Sequence, residues 1–216
     1  MTVKQYLADP RTLRASATIT DIIPGEKPVV RLDKTFFHAQ GGGQKADKGR
    51  IHTANVLHVA HGENTVDHFV DSVEGLLPGM AVEIEVDAHS RAVNAAWHTA
   101  GHHIAGAVEA LYPGLKAVAG HQWPGEGRVE FAGDFAVNVD VVNAQLKADI
   151  AAALPAVMQG DPFSSRAVKI GDYPAIPCGG THVENLSAIE STTIRSVKAK
   201  GGKIRMGFET VPAIKS

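Results

Sequence analysis

At Asp87 the spacing of apolar residues changes period, and that change divides the chain into two kinds of structure. Before it, short apolar and β-branched runs recur at 17–23, 29–32, 56–59, 66–70 and 82–86. Pro24-Gly25, Gly41-Gly42-Gly43, Gly62-Glu63-Asn64 and Pro78-Gly79 separate them. Runs this short, bounded by turn residues, predict the strands of a small barrel or sandwich. The last run alternates apolar and acidic residues and predicts a half-buried strand. After Asp87, Trp97, Gly101, Ile104, Val108 and Leu111 recur at helical spacing, the stripe of a helix over 88–112 packed on one side. Asp87 is placed to cap it, and Pro113-Gly114 to end it. Further on, the pattern predicts a strand at 129–131 and an Ala-rich helix over 143–158 that Pro155 ends or kinks. A turn at Gly160-Asp161-Pro162 follows, then strands near 165–170, 192–197 and 203–209. The expected class is α+β, with a small β-barrel domain over 1–87 and an α/β domain over 88–216.

With 216 residues, 44% of them apolar and 20% charged, the chain can bury a sizeable core and is not disordered. It has no repeats, no low-complexity tract and no apolar stretch long enough to span a membrane. The start, MTVKQYLADP, lacks a basic end followed by an apolar run, so no secretory signal is expected. Cys178 is the only cysteine, which rules out an intrachain disulfide and fits a cytoplasmic protein. A net charge of -2 means that a nucleic-acid partner does not follow from global charge. Eleven histidines beside one free thiol direct attention to a metal site.

His98-Thr-Ala-Gly-His102 places two imidazoles one helical turn apart, stacked on one face, where both can reach one ion. Zinc proteases with this spacing carry a Glu after the first His; Thr99 stands there, so the protease reading fails. Taken alone, the pair reads more simply as two packed histidines. His103 is turned about 100° away and is assigned to packing or to support of the ligands. Pro177-Cys178-Gly-Gly-Thr-His182 offers a thiolate and a third imidazole on a pliable loop; alone it reads equally as a buried Cys beside a turn. Together, His98, His102, Cys178 and His182 make an ordinary zinc donor set. In Gly41-Gly42-Gly43-Gln44, followed by Asp47, Gly42 and Gly43 leave backbone N–H groups open to a ligand. Gln44 there suits positioning of an ester carbonyl or a water, although a Gly-rich turn between strands reads as well structurally. Lys198, Lys200, Lys203 and Arg205 form a basic strip that can follow phosphates or simply solvate a hairpin.

Taken in order, GGGQKADKG, HTAGH, RVEF, CGGTHV and KAKGGKIRMGFE resemble the editing domain of alanyl-tRNA synthetase, and more closely its free-standing relatives, the AlaX trans-editing proteins. The likeness runs from about Thr35 to Glu209, and the barrel before the metal-bearing half is similar to the medium-length type. It implies a barrel followed by the α/β half shared with threonyl- and alanyl-tRNA synthetases. It implies one zinc per chain held by His98, His102, Cys178 and His182. It implies hydrolysis of the ester on mischarged tRNA(Ala), chiefly seryl and secondarily glycyl, with no membrane partner. Gln44 and Thr181 are the expected catalytic residues, and Gly42, Gly43, Gln44, Asp47 and Thr181 the expected substrate contacts. The basic strip is the expected tRNA contact. Zinc is expected beside the ester as an orienting and polarising ion, although four protein ligands make a closed site in most zinc proteins.

The sequence departs from the family at three places. Phe37-His38-Ala39 replaces a Phe-Tyr-Pro motif, His103 replaces an apolar residue, and no Thr occurs between Ala110 and Phe131. The stretch 117–121 is therefore expected to line the pocket without a hydroxyl. Two other classes compete: a zinc-stabilised module that binds tRNA or a synthetase without hydrolysis, and a zinc hydrolase of another small ester or amide. Nothing in the sequence sets an oligomeric state.

Overall fold

The alternating runs of the N-terminal part close into a barrel. In the computed structural model, which describes residues 1–133 and 136–214, this part contains β1 (Val3–Lys4), β2 (Arg14–Ile23), β3 (Val29–Leu32), β4 (Lys34–Thr35), β5 (Gly49–Ile51), β6 (Ala54–His61), β7 (Val66–Val70) and β8 (Ala81–Val86). The barrel order is β2-β3-β7-β6-β5-β8, with β1 and β4 pairing outside it. Strict alternation decides which side chains turn inward: Val82, Ile84 and Val86 of β8 are buried. They join Ile19, Leu32, Ile51, Val59 and Val66 in one apolar interior.

The rest of the chain begins with α1 (Ala88–Leu111), followed by β9 (Lys116–His121), β10 (Arg128–Ala132), α2 (Val139–Ala151), β11 (Ala156–Gln159), β12 (Ala167–Ile170), β13 (Ile176–Pro177), β14 (Ile189–Lys200) and β15 (Lys203–Pro212). The four-stranded sheet runs β14-β15-β10-β9, and β11-β12-β13 make a smaller one. The β14–β15 hairpin turns through Gly201 and Gly202, both at positive φ, the conformation that a tight two-residue hairpin turn demands. Trp97, Ile104 and Val108 of α1 share a core with Phe131, Leu146, Ile194 and Phe208. The chain partitions into two compact units, Met1–Gly41 with Lys45–Arg91, and Gly42–Gln44 with the residues from Ala92 onward. The division thus falls inside α1, after its first turn.

Asp87 caps α1 as expected, its carboxylate accepting from the Ser90 N–H at 2.7 Å. The helix is not packed on one side only. From Asn94 to Val108 nearly every residue is buried, because Ala95, Ala96, Ala100, Ala105 and Ala107 let neighbours approach where a one-sided helix would carry charge. The second helix also departs from its expected span of 143–158. It starts earlier because Asn138 accepts from the Asp140 and Val141 N–H groups. It stops at Ala151, Ala153 takes a left-handed φ of 50°, and Ala156–Gln159 pairs with β12 instead. Alanine-rich propensity carries past the point where sheet pairing takes over. β9 has no clear signal in the sequence, since its Ala and Gly residues carry little strand propensity. No helix among the described residues is long and apolar enough to cross a membrane.

Candidate metal and editing site

The four donors and the cleft beside them lie within the second unit. α1 holds His98 and His102 one turn apart, with ring centroids 4.8 Å from each other. The loop after β13 brings Cys178 and His182 to them. His98 Nε2 lies 3.0 Å and His182 Nε2 3.1 Å from Cys178 Sγ. The His182 ring is 4.7 Å from that of His98 and 5.0 Å from that of His102. One donor atom from each of the four residues falls within 4.8 Å of the others. Gly180 permits this approach: a Cβ there would sit 2.4 Å from His98 Nε2 and 2.7 Å from Gln44 Oε1.

Burial shapes the protonation of the group. Loss of hydration, with Arg166 adding repulsion, pushes the His102 imidazole down to about 4, so it is neutral with a free lone pair at neutral pH. Burial also pushes the Cys178 thiol up, against the opposing pull of the Gly180 N–H and Arg166. A thiol and three imidazoles without any carboxylate are poor ligands for magnesium or calcium and good ones for a borderline transition ion, which converts the thiol to a thiolate on binding. The group can therefore hold one metal ion.

Thr99, one residue after His98, supports the loop from the helix. Its hydroxyl is 2.8 Å from Ala95 O and 3.0 Å from His182 Nδ1, and it accepts from the Val183 N–H at 3.2 Å. A hydroxyl has one proton, and a carbonyl can only accept. The proton goes to Ala95 O, so His182 Nδ1 must donate, which leaves the Nε2 lone pair facing Cys178. Arg166 braces the other end: its guanidinium donates to Cys178 O at 2.8 Å, and the Cys178 N–H donates to Arg166 O at 3.1 Å.

Gln44 and Thr181 meet. The Gln44 amide donates to Thr181 Oγ1 at 2.8 Å and accepts from the Thr181 N–H at 2.8 Å, and both residues are buried. Gly42 lines a cleft of about 260 Å³ together with Gly101, His102, Cys178 and Gly179. Ala117, Val118, Ala119, Gly120 and Gln122 line it too, so most of the stretch expected to lack a hydroxyl does line it. Gly43 packs against Gln122. Asp47, in the first unit, is fully buried; it accepts from the His38 N–H at 2.6 Å and pairs with Arg91. His103 pairs with Asp149 at 2.8 Å on the α2 side, and His121 lies against Trp123 and Glu126.

The basic strip forms cross-strand pairs on the hairpin, Lys198 with Arg205 and Lys200 with Lys203. Arg205 also donates to Glu130 at 2.7 Å, and that guanidinium holds the Glu130 carboxyl below its ordinary range. Arg128 and Arg195 line an adjoining hollow with Lys198 and Arg205. Sequence reasoning missed these two because sheet register, not proximity along the chain, brings them in. It also missed Gln122, for which the sequence holds no signal, and the bracing roles of Thr99 and Arg166. Adjacency to His98 was an available clue for Thr99.

The barrel, the α/β half and the clustered donors define a synthetase-type editing domain. Residues 165–205 match the family described as the threonyl and alanyl tRNA synthetase second additional domain. The chain is 30% identical to the alanyl-tRNA editing protein AlaX-M of Pyrococcus horikoshii over 88% of either chain. It is 29% identical to the alanyl-tRNA editing protein Aarsd1 of Mus musculus, over 88% of this chain and 52% of that one. It is also 31% identical to an alanine–tRNA ligase of Alkaliphilus metalliredigens, over 90% of this chain, and spans about a quarter of the ligase's length, 26%. The chain belongs to the AlaX family of alanyl-tRNA editing proteins, as the motifs implied.

Proposed function

We propose that the chain acts in the cytoplasm as an aminoacyl-tRNA deacylase, removing the wrong amino acid from tRNA(Ala) in trans, chiefly serine and secondarily glycine. The observation that carries this reading is the convergence of His98, His102, Cys178 and His182 at the edge of a small cleft that also takes in Gly42. An aminoacylation pocket cannot strongly reject an isostere that merely adds a hydroxyl, nor a smaller side chain, so a second hydrolytic site is needed.

The ion we assign to the four donors is zinc, one per chain, as their chemistry favours. When bound, it supplies positive charge beside the ester carbonyl. His98, His102, Cys178 and His182 hold it, and Thr99 and Arg166 hold His182 and Cys178 in turn. Gln44 and Thr181 hydrogen-bond each other in both directions, and we assign them the task of locking the Gly-rich loop to the CGGTH loop, which keeps the Gly42 and Gly43 backbone beside the reacting group. Asp47 orders the chain following that loop through Arg91 and His38. Lys198, Lys200, Lys203 and Arg205, extended by Arg128 and Arg195, offer cations for the tRNA backbone.

The test is loss of label from Ser-tRNA(Ala), Gly-tRNA(Ala) and Ala-tRNA(Ala) incubated with the protein. The seryl ester should disappear at least about tenfold faster than the alanyl ester, a margin of about 1.4 kcal/mol in the barrier. Loss of the seryl ester no faster than in a protein-free control refutes the reading and leaves a binding module.

A further inference from the structure

Among the residues lining the cleft, the polar side chains are those of His102, Gln122 and Cys178. His102 and Cys178 belong to the donor group. Gln122 is left as the polar side chain free to meet a substrate. It is only 5% exposed, and its niche is made of glycines from three separate elements. A Cβ at Gly43 would sit 2.0 Å from its Oε1, one at Gly101 2.4 Å from its Cγ, and one at Gly120 2.0 Å from its Nε2. Its backbone N–H is anchored on Gly43 O at 2.9 Å. The side-chain Oε1 is buried and has no hydrogen-bond donor among the described residues. An acceptor so placed destabilises the fold unless a donor arrives from outside. The cleft is also lined by Ala117, Val118, Ala119 and Val129, whose side chains carry no donor.

We propose that Gln122 selects the aminoacyl group, its carboxamide oxygen accepting a hydrogen bond from the side-chain hydroxyl of a seryl ester. The inference rests on the deacylase reading above. The terminal torsion of a glutamine is broad, so a small rotation turns the carboxamide edge to the cleft without moving the stem. A seryl ester satisfies the stranded oxygen. An alanyl ester fills the same space with a methyl group and leaves the oxygen unpaired, which is the discrimination an editing site needs.

The test compares kcat/KM for Ser-tRNA(Ala) and Gly-tRNA(Ala) in the parent and in Gln122→Met, a variant of similar length without the carboxamide. Metal content and Tm are read on the same samples. The Ser-to-Gly ratio should fall about tenfold. An unchanged ratio, whether both rates hold or both fall together, overturns the proposal. A second measurement needs no variant: the parent is given 3-fluoroalanyl-tRNA(Ala), in which fluorine replaces the hydroxyl and no proton can be donated. Hydrolysis near the alanyl rate supports the assignment, and hydrolysis as fast as that of the seryl ester overturns it. A parent that leaves the seryl ester intact defeats the deacylase reading itself. A parent that edits serine with an unaltered ratio in Gln122→Met defeats only the role of Gln122.

Discussion

Replacing Thr99 with valine removes one oxygen and keeps the shape. That oxygen is fully buried and meets Ala95 O, His182 Nδ1 and the Val183 N–H. In Thr99→Val, the His182 Nδ1–H loses its Thr99 partner, and the tautomer that presents Nε2 to Cys178 is no longer enforced. Loss of a partner that orients a ligand costs roughly 10- to 100-fold in metal affinity, about 1.4 to 2.8 kcal/mol. The unpaired Val183 N–H adds about 1 kcal/mol or more against the folded loop. The assay is competition for zinc against a chromophoric chelator, with circular dichroism to confirm that the helix persists. Affinity within about twofold of the parent refutes the tautomer argument, because a hydrogen bond that orients a ligand imidazole cannot be lost without consequence.

Two further perturbations act on the first unit. Asp47→Ala leaves the Arg91 guanidinium buried without its carboxylate, which should cost about 3–5 kcal/mol of stability, seen as a lower urea midpoint. A midpoint equal to the parent's contradicts the structural role given to Asp47. His68 is fully buried among Val30 O and Thr35, and loss of hydration pushes its imidazole down to about 4 from 6.5. Its folded value lies below its unfolded value, so the unfolded state takes up the proton first. Stability is full above about pH 6.5 and falls by roughly 3 kcal/mol as the pH drops to about 4. His68→Gln should flatten the pH dependence of urea unfolding over that interval, and an unchanged slope contradicts the assignment.

The features readable from sequence were those that local chemistry dictates. The strand runs of the barrel, Asp87 as a cap and the HxxxH spacing depend on neighbours within a few residues, and the structure carries each of them. The pairing of HTAGH with CGGTH was readable because only the second motif contains a thiol. What sequence could not carry was contact between distant segments. Gln44 reads as a substrate contact in the sequence because its amide can donate and accept; its partner Thr181, 137 residues away, is set by tertiary contact alone. Gln122 looked like nothing, because its surroundings are defined by missing side chains at Gly43, Gly101 and Gly120. The early start of α2 and its stop before β11 likewise depend on a cap and on sheet pairing, which compete with helix propensity.

The account depends most on a metal held by His98, His102, Cys178 and His182 serving ester hydrolysis. It is tested most directly by the rate of Ser-tRNA(Ala) deacylation before metal removal by a chelator, after it, and after return of one zinc per chain. The account predicts activity that disappears with the metal and returns with it. Metal-free protein as fast as the starting sample contradicts it.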